Sequence, residues 1–324
     1  MTGGSRPLDF IVIGAQKAGT TSLWQYLRHH PSISMPLLKE APLFSQAAID
    51  AGEYDAFFAA HLGNAANGAL LGKATPAYMM GNRGVDVGEV ARRIADRLPR
   101  VKLIALLRDP IERALSHHRM SVRRGLDDRP FDLAAEELLE PEALRAGRED
   151  PSEVNSYLAQ GEYGRILCAY RECFPADRVH VEQFAALRGD PDGVIDRVLE
   201  FLGLPAGYRP DNLGVRYHVG GSTRIPPERE AWLFEFMDEN VWPHLRDGRG
   251  GVKAAFEFFY EIWSVLPDSD PPLVSPAVRV RLEEHFRADA ERLATLGIGF
   301  PWIGEWDGGA TSADVATVLP RSPG

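Results

Sequence analysis

Short runs of apolar residues alternate along this chain with segments in which apolar residues recur at helical spacing. The apolar or alternating runs are typical of strands and occupy residues 8–13, 69–74, 101–107 and 178–182. Helical spacing occupies residues 20–28, 91–98, 110–123 and 194–201. Because strands alternate with helices, the pattern predicts an α/β fold. We expect a mostly parallel sheet covered on both faces, with any ligand at the carboxyl ends of the strands.

The last third of the chain follows a different pattern. Residues 226–275 carry many aromatic side chains, such as Trp232 and Trp242, which is typical of a helical insertion beside a sheet. An acceptor pocket, core packing and a dimer interface would each explain these aromatic residues. An amphipathic helix is predicted over residues 278–296, and the small, unpatterned residues 307–324 favour a disordered tail. We therefore expect one domain over residues 1–306.

Composition narrows the class of protein. The 324 residues include 36 Lys+Arg and 46 Asp+Glu, a formal net charge of −10, which disfavours a general nucleic-acid binder. No apolar run approaches the roughly 18–20 residues of a membrane span, and no secretory signal is recognised at the start. The two cysteines, Cys168 and Cys173, lie on one predicted helix, so we expect a reduced, cytoplasmic protein. A homo-oligomer is compatible with the sequence.

The first candidate for chemistry is the segment of residues 14–22, which follows a predicted strand and opens a predicted helix. Unpaired backbone N–H groups and the helix dipole favour an anion there. Lys17 adds a positive charge, and the hydroxyl groups of Thr20, Thr21 and Ser22 add donors. Lys17 lies before Gly19, so this is not the G-x-x-x-x-G-K-[ST] loop of nucleoside triphosphate enzymes. The segment favours phosphate binding, although a simple strand-to-helix turn has a similar composition.

This segment resembles the 5′-phosphosulfate loop of the sulfotransferases that use 3′-phosphoadenosine 5′-phosphosulfate (PAPS). Residues 107–118 are similar to the strand and helix that bind the donor's 3′-phosphate in that family. The resemblance covers about residues 9–306, and it implies a P-loop-like parallel sheet flanked by helices. It also implies PAPS as co-substrate and adenosine 3′,5′-bisphosphate as product. The donor contacts that it assigns are Gln16, Lys17, Ala18, Gly19, Thr20, Thr21, Ser22, Arg108 and Ser116.

Residues 39–44 resemble the Lys-Glu-x-x-x-Phe segment of the heparan-sulfate type sulfotransferases. The resemblance implies that Glu40 deprotonates the acceptor hydroxyl, while Lys17 stabilises the leaving phosphate. A solvated loop acid is the alternative interpretation of Glu40.

Two other segments resemble the same family with departures. Residues 72–78 are similar to its Gly-Glu-x-[ST]-Pro-x-Tyr segment, but Lys73 stands in place of the glutamate. Residues 220–224 occupy the place of a small basic loop, which assigns to Arg224 a contact on the donor's 5′ side.

Two histidines compete with Glu40 as general base. His117 and His118 are adjacent on a predicted helix, so their side chains point about 100° apart and at most one faces a cleft. We expect them on the helix surface or behind the site. No His or Cys spacing typical of a metal site occurs, and no metal is expected.

The sequence therefore predicts a PAPS-dependent O-sulfotransferase whose partner is a small-molecule, natural-product or glycan hydroxyl, with no nucleic acid and no membrane span. Two alternatives stay open. One is a nucleotide-dependent small-molecule kinase, which would require Mg²⁺ and a nucleoside triphosphate. The other is a non-catalytic nucleotide-binding protein of the same fold.

Overall fold

A computed structural model describes residues 6–36, 39, 43–44, 51–63, 65–81, 84–214, 274–299 and 301–306. Glu40, Arg224 and the tail over residues 307–324 lie outside the described residues. So does the expected helical insertion, except for residues 274–275.

A parallel sheet forms the centre of the described part of the chain. Its strands are β1 (Phe10–Gly14), β2 (Ile33–Ser34), β3 (Leu70–Ala74), β4 (Lys102–Leu107) and β5 (Val179–Gln183). Their order is β2-β3-β1-β4-β5, and all neighbouring pairs are parallel. The predicted parallel sheet is confirmed. After β1, the chain adds β2 and β3 on one side of β1 and then β4 and β5 on the other side. The carboxyl ends of β1 and β4 therefore form a topological switch point, where open α/β sheets bind ligands.

The apolar sequences of β1 and β4 explain their central position in the sheet. β1 reads Phe-Ile-Val-Ile-Gly and is buried throughout, and β4 reads Lys-Leu-Ile-Ala-Leu-Leu and is buried after its first residue. Such near-continuous apolar runs have no polar face to turn toward water, so helices cover both faces.

α-Helices connect and follow the strands. Those in the described ranges are α1 (Thr20–Arg28), α2 (Ala51–His61), α3 (Val87–Arg97), α4 (Pro110–Arg123), α5 (Phe131–Leu139), α6 (Pro141–Glu149), α7 (Tyr163–Cys173), α8 (Phe184–Gly189), α9 (Pro191–Leu202), α10 (Pro276–Thr295) and α11 (Pro301–Trp306). Cys168 and Cys173 are free thiols on α7, as expected. None of the described helices has the length and apolar character that a membrane crossing requires.

Capping explains where the observed helices differ from the predicted bounds. α1 and α4 have the predicted bounds. α3 begins at Val87, ahead of the predicted residue 91, because Asp86 accepts a hydrogen bond from the Glu89 N–H group at 2.8 Å. α9 begins at Pro191, where Asp190 accepts from the Gly193 N–H group at 2.9 Å.

A second apolar cluster fixes α4 on the side away from the sheet. It joins Ile111 of α4 to Phe131 of α5 and to Leu282 and Phe286 of α10, all of them buried. α4 is therefore held both by its link to β4 and by this cluster. Its first two turns present their side chains from a rigid support.

Candidate active site

The loop between β1 and α1 turns through two residues with positive φ. Lys17 has a φ of 68°, and Gly19, the residue before α1, has a φ of 85°. This region is open to glycine but costs another L-residue about 1–2 kcal/mol. No side chain caps α1, so N–H groups of its first turn are available to a ligand. A strained lysine at such a junction indicates a functional loop.

The junction of β4 and α4 meets this loop. An N–H group of Arg108 donates to the backbone oxygen of Lys17 at 3.2 Å, and another contacts Oε2 of Glu112 at 3.2 Å. The Tyr163 hydroxyl donates to the backbone oxygen of Arg108 at 2.9 Å. Asp109 caps α4 by accepting from two N–H groups of its first turn. Arg108 thus bridges the carboxyl ends of β1 and β4.

One face of α4 lies against Lys17. Ser116 lies about two turns into the helix, and Met120 follows one turn later on the same face. The ammonium of Lys17 lies 3.7 Å from Sδ of Met120. The structure therefore brings Lys17, Arg108 and the Ser116 face of α4 together.

Two described residues near Glu40, Lys39 and Phe44, are buried. Lys39 is buried and donates from Nζ to Oγ1 of Thr21, at the start of α1, at 2.9 Å. Phe44 is buried against Tyr78, with ring centroids 5.9 Å apart. Lys39 therefore contacts α1, and Phe44 belongs to the core.

Positive charges concentrate at Lys17. Burial, followed by the charges of Arg123, Arg124, Arg108 and Lys39, lowers the pKa of Lys17 to about 8. Like charges held this close repel one another. A ligand with several negative charges would relieve that repulsion, so the site favours a polyanion despite the acidic chain.

His117 is buried behind the loop. Its Nε2 lies 3.0 Å from Oε2 of Glu153, its ring meets Tyr157 edge-on, and burial lowers its pKa to about 4. The neutral ring therefore carries its proton on Nε2 toward Glu153. Its other nitrogen, Nδ1, is buried with no hydrogen-bond partner among the described residues.

His118 is also buried and points elsewhere. Its Nε2 donates to the backbone oxygen of Arg129 at 2.8 Å, and its ring lies near Phe131 and Tyr157. Of the two placements expected for the histidine pair, the helix surface is wrong, since both rings are buried.

Lys73 is fully buried on β3. Its ammonium donates to Oγ1 of Thr75 at 2.6 Å and lies 5.3 Å and 5.5 Å from the ring centroids of Phe57 and Tyr78. A hydroxyl acceptor and two aromatic faces thus accommodate the cation where the family segment has a carboxylate.

Two site residues were not singled out from the sequence. Phe184 directly follows β5, and the guanidinium of Arg108 lies 5.1 Å from its ring centroid. Its place just after a strand is the signal that marks it. Glu153 lies in the connection after α6, where no local pattern points to His117. Across the described part of the chain, no group of three or more His, Cys, Asp or Glu residues is placed to hold a metal ion.

Comparison with known proteins finds similarity to sulfotransferases. Residues 86–240, which include Arg108 and Ser116, match the family model of the sulfotransferase domain. The chain is 35% identical over 137 residues to the membrane-associated sulfotransferase kil1 of Dictyostelium discoideum, across 42% of this chain and 28% of that protein. It is 30% identical over 202 residues to human heparan sulfate glucosamine 3-O-sulfotransferase 3B1, across 62% and 47%. The matches span less than half the length of these relatives.

Among solved structures, the chain is similar to a sulfotransferase from Alicyclobacillus acidocaldarius. The TM-score is 0.59 at 23% identity, across 91% of this chain and 98% of the other. At this identity the likeness concerns the fold, and it agrees with the parallel sheet described above.

Proposed function

We propose that this chain, whose residues 86–240 match the family model of the sulfotransferase domain, transfers the sulfuryl group of PAPS to a hydroxyl group of an acceptor. One observation carries the proposal. Arg108, after β4, hydrogen-bonds the backbone oxygen of Lys17, after β1, so that two anion-binding elements meet at the switch point of the sheet. A donor with phosphates at its 5′ and 3′ ends fits two such elements.

The donor would lie across the carboxyl ends of β1 and β4. N–H groups and hydroxyls of residues 18–22, with Gln16 and Lys17, would hold the 5′-phosphosulfate, and Arg108 and Ser116 would hold the 3′-phosphate. Arg224 is proposed for the 5′ side. The positive charges around Lys17 support this arrangement, because PAPS brings several negative charges to one place.

The transfer would proceed by in-line attack. The acceptor oxygen forms a bond to sulfur while the bond between sulfur and the bridging oxygen of the 5′-phosphate breaks. Glu40 takes the proton of the acceptor hydroxyl, and Lys17 stabilises the negative charge on the departing adenosine 3′,5′-bisphosphate. With a pKa of about 8, Lys17 is protonated at neutral pH, as this role requires.

The contacts of neighbouring residues support Glu40 as the base. Glu40 follows Lys39, whose ammonium contacts Thr21 in the loop helix. His117 and His118 lack the required access, since each directs Nε2 to a protein oxygen and buries Nδ1.

The acceptor class is part of the proposal. The name of the human relative favours a glycan hydroxyl, and small-molecule and natural-product hydroxyls belong in the same screen. No metal is proposed, because positioning and fixed charges supply the chemistry.

Nucleotide binding and one substitution test the proposal. The protein should bind adenosine 3′,5′-bisphosphate more tightly than ADP or ATP, with or without Mg²⁺; the reverse preference would indicate a kinase. Glu40→Gln should bind donor normally and lose about 10²–10⁴-fold in kcat. If Glu40→Gln stays within a few-fold of the parent while His117→Ala or His118→Ala loses activity, the base is misassigned. Donor binding without turnover of any acceptor would favour the non-catalytic alternative.

A further inference from the structure

One aromatic ring, that of Phe184, contacts both anion-binding elements. A Cβ atom added to Gly19, in the β1–α1 loop, would lie 2.9 Å from Cδ2 of this ring, so the ring packs directly on the loop backbone. The same ring carries the guanidinium of Arg108, whose Cζ lies 5.1 Å from the centroid. Phe184 is therefore shared by the proposed 5′ and 3′ phosphate sites.

A second guanidinium lies on the same ring. Arg188 follows Phe184 by one turn of α8, and its Cζ lies 5.7 Å from the ring centroid. Arg188 is exposed, and no carboxylate partner is found for it among the described residues. Arg108 and Arg188 therefore carry like charges to one small region, where a phosphate would reduce their repulsion.

We propose that Phe184 is a positioning residue that fixes Arg108 relative to the loop, and that Arg188 is a second guanidinium for the donor's 3′-phosphate. The inference rests on the proposed function. A guanidinium that is already held on an aromatic face loses less freedom when it binds a phosphate. Because the ring also touches Gly19, it sets the spacing between the two phosphate sites. Phe184 thereby contributes to selection of a nucleotide that carries a 3′-phosphate.

The test compares two probes by calorimetry, adenosine 3′,5′-bisphosphate and adenosine 5′-monophosphate. Phe184→Leu keeps an apolar contact for Gly19 but removes the aromatic face. It should weaken bisphosphate binding about 3–30-fold and change monophosphate binding less than about two-fold. Phe184→Tyr, which keeps the face, should restore the preference. Arg188→Gln, at an exposed position, should weaken only bisphosphate binding, by about 3–5-fold, and reduce its salt dependence.

The opposite edge of the same strands offers matched controls. Nζ of Lys102, the first residue of β4, lies 5.3 Å from the ring of Phe201, and Arg178 precedes β5 and contacts the backbone oxygen of Arg100. Phe201→Leu and Arg178→Gln should leave the nucleotide preference of the parent unchanged.

Two results overturn the inference while leaving the proposed donor intact. One is an equal loss for both nucleotides in Phe184→Leu, which would indicate general packing. The other is a parental preference in both Phe184→Leu and Arg188→Gln. If the parent itself shows no preference for the bisphosphate, the proposed donor is wrong and the inference falls with it. A parental preference with unaffected variants refutes the inference alone.

Discussion

Lys17 combines a strained backbone with a charge needed for transfer, so its replacement should move stability and activity in opposite directions. Its φ of 68° costs about 1–2 kcal/mol in any residue with a Cβ atom. Glycine avoids this cost, but its greater backbone freedom in the unfolded state lowers the free energy of unfolding by about 0.4–1 kcal/mol. Lys17→Gly should therefore be about 0.5–1 kcal/mol more stable than Lys17→Ala.

The charge contributes a second effect. Burial and four like charges lower the pKa of Lys17 from 10.5 to about 8, so the protonated side chain destabilises the fold at neutral pH by on the order of 3 kcal/mol. Both substitutions remove this cost, but they also remove the packing of the aliphatic part of the lysine side chain. The resulting gain in the free energy of unfolding should be complete below pH 8. It should shrink between pH 8 and pH 10.5, because the lysine of the folded parent loses its proton above pH 8.

Urea unfolding at several pH values measures both effects on stability, and sulfuryl transfer at saturating donor measures the effect on activity. Both variants should lose about 10²–10³-fold in kcat, the usual result of removing one stabilising group at a leaving oxyanion. A lower stability of Lys17→Gly than of Lys17→Ala would contradict the strain at Lys17, and parental turnover by either variant would contradict its role in transfer.

Three further outcomes are expected. Arg108→Ala should weaken binding of adenosine 3′,5′-bisphosphate far more than binding of adenosine 5′-monophosphate, because a charged contact that the bound nucleotide buries is typically worth about 2–5 kcal/mol. Ser116→Ala should show the same preference with a smaller loss, because its hydroxyl group is neutral; calorimetry showing equal losses for both nucleotides would contradict the assignment. The parent's kcat/KM for the donor should fall as the pH rises above about 8, where Lys17 loses its proton; a flat profile to pH 10 would exclude that role. Glu162→Gln should lower the free energy of unfolding by about 3–5 kcal/mol, because buried Glu162 pairs with Arg148 and Arg165. Burial alone would raise the pKa of Glu162, but contacts with His285, Arg148 and Arg165 lower it to about 2, so its contribution in the parent should be present above pH 4.5 and lost toward pH 2. Denaturation scans of parent and variant that coincide across this range would rule out that contribution.

The sequence predicted the elements whose signals are local. β1 and β4 are uninterrupted apolar runs, and proline and glycine mark the ends of the helices beside them, so α1 and α4 were placed correctly. β2 was missed, because its two residues, Ile33 and Ser34, become a strand only by pairing with Leu70 and Leu71. Short strands of this kind depend on tertiary contacts, which the local pattern does not contain.

The candidate site also contains residues with a local sequence signal and residues without one. The β1–α1 loop and Arg108 are candidates from the sequence because each directly follows a strand and belongs to a short motif, and their roles stay predictions. The contacts of Phe184 with Arg108 and of Glu153 with His117 join residues far apart in the chain, and no spacing rule marks such pairs. The burial of His118 depends on the connection after α4, whose Arg129 supplies the acceptor oxygen.

The central claim is transfer of a sulfuryl group from PAPS, and isotope-labelled PAPS tests it most directly. The protein would be incubated with the donor and a panel of glycan and small-molecule alcohols, and the products read by mass spectrometry. One acceptor should gain the mass of a single labelled sulfuryl group while an equal amount of adenosine 3′,5′-bisphosphate appears, and Lys17→Ala should slow the formation of both about 10²–10³-fold. Label transferred equally well by Lys17→Ala, or phosphate transferred from ATP to the same acceptors with no transfer from PAPS, would contradict it.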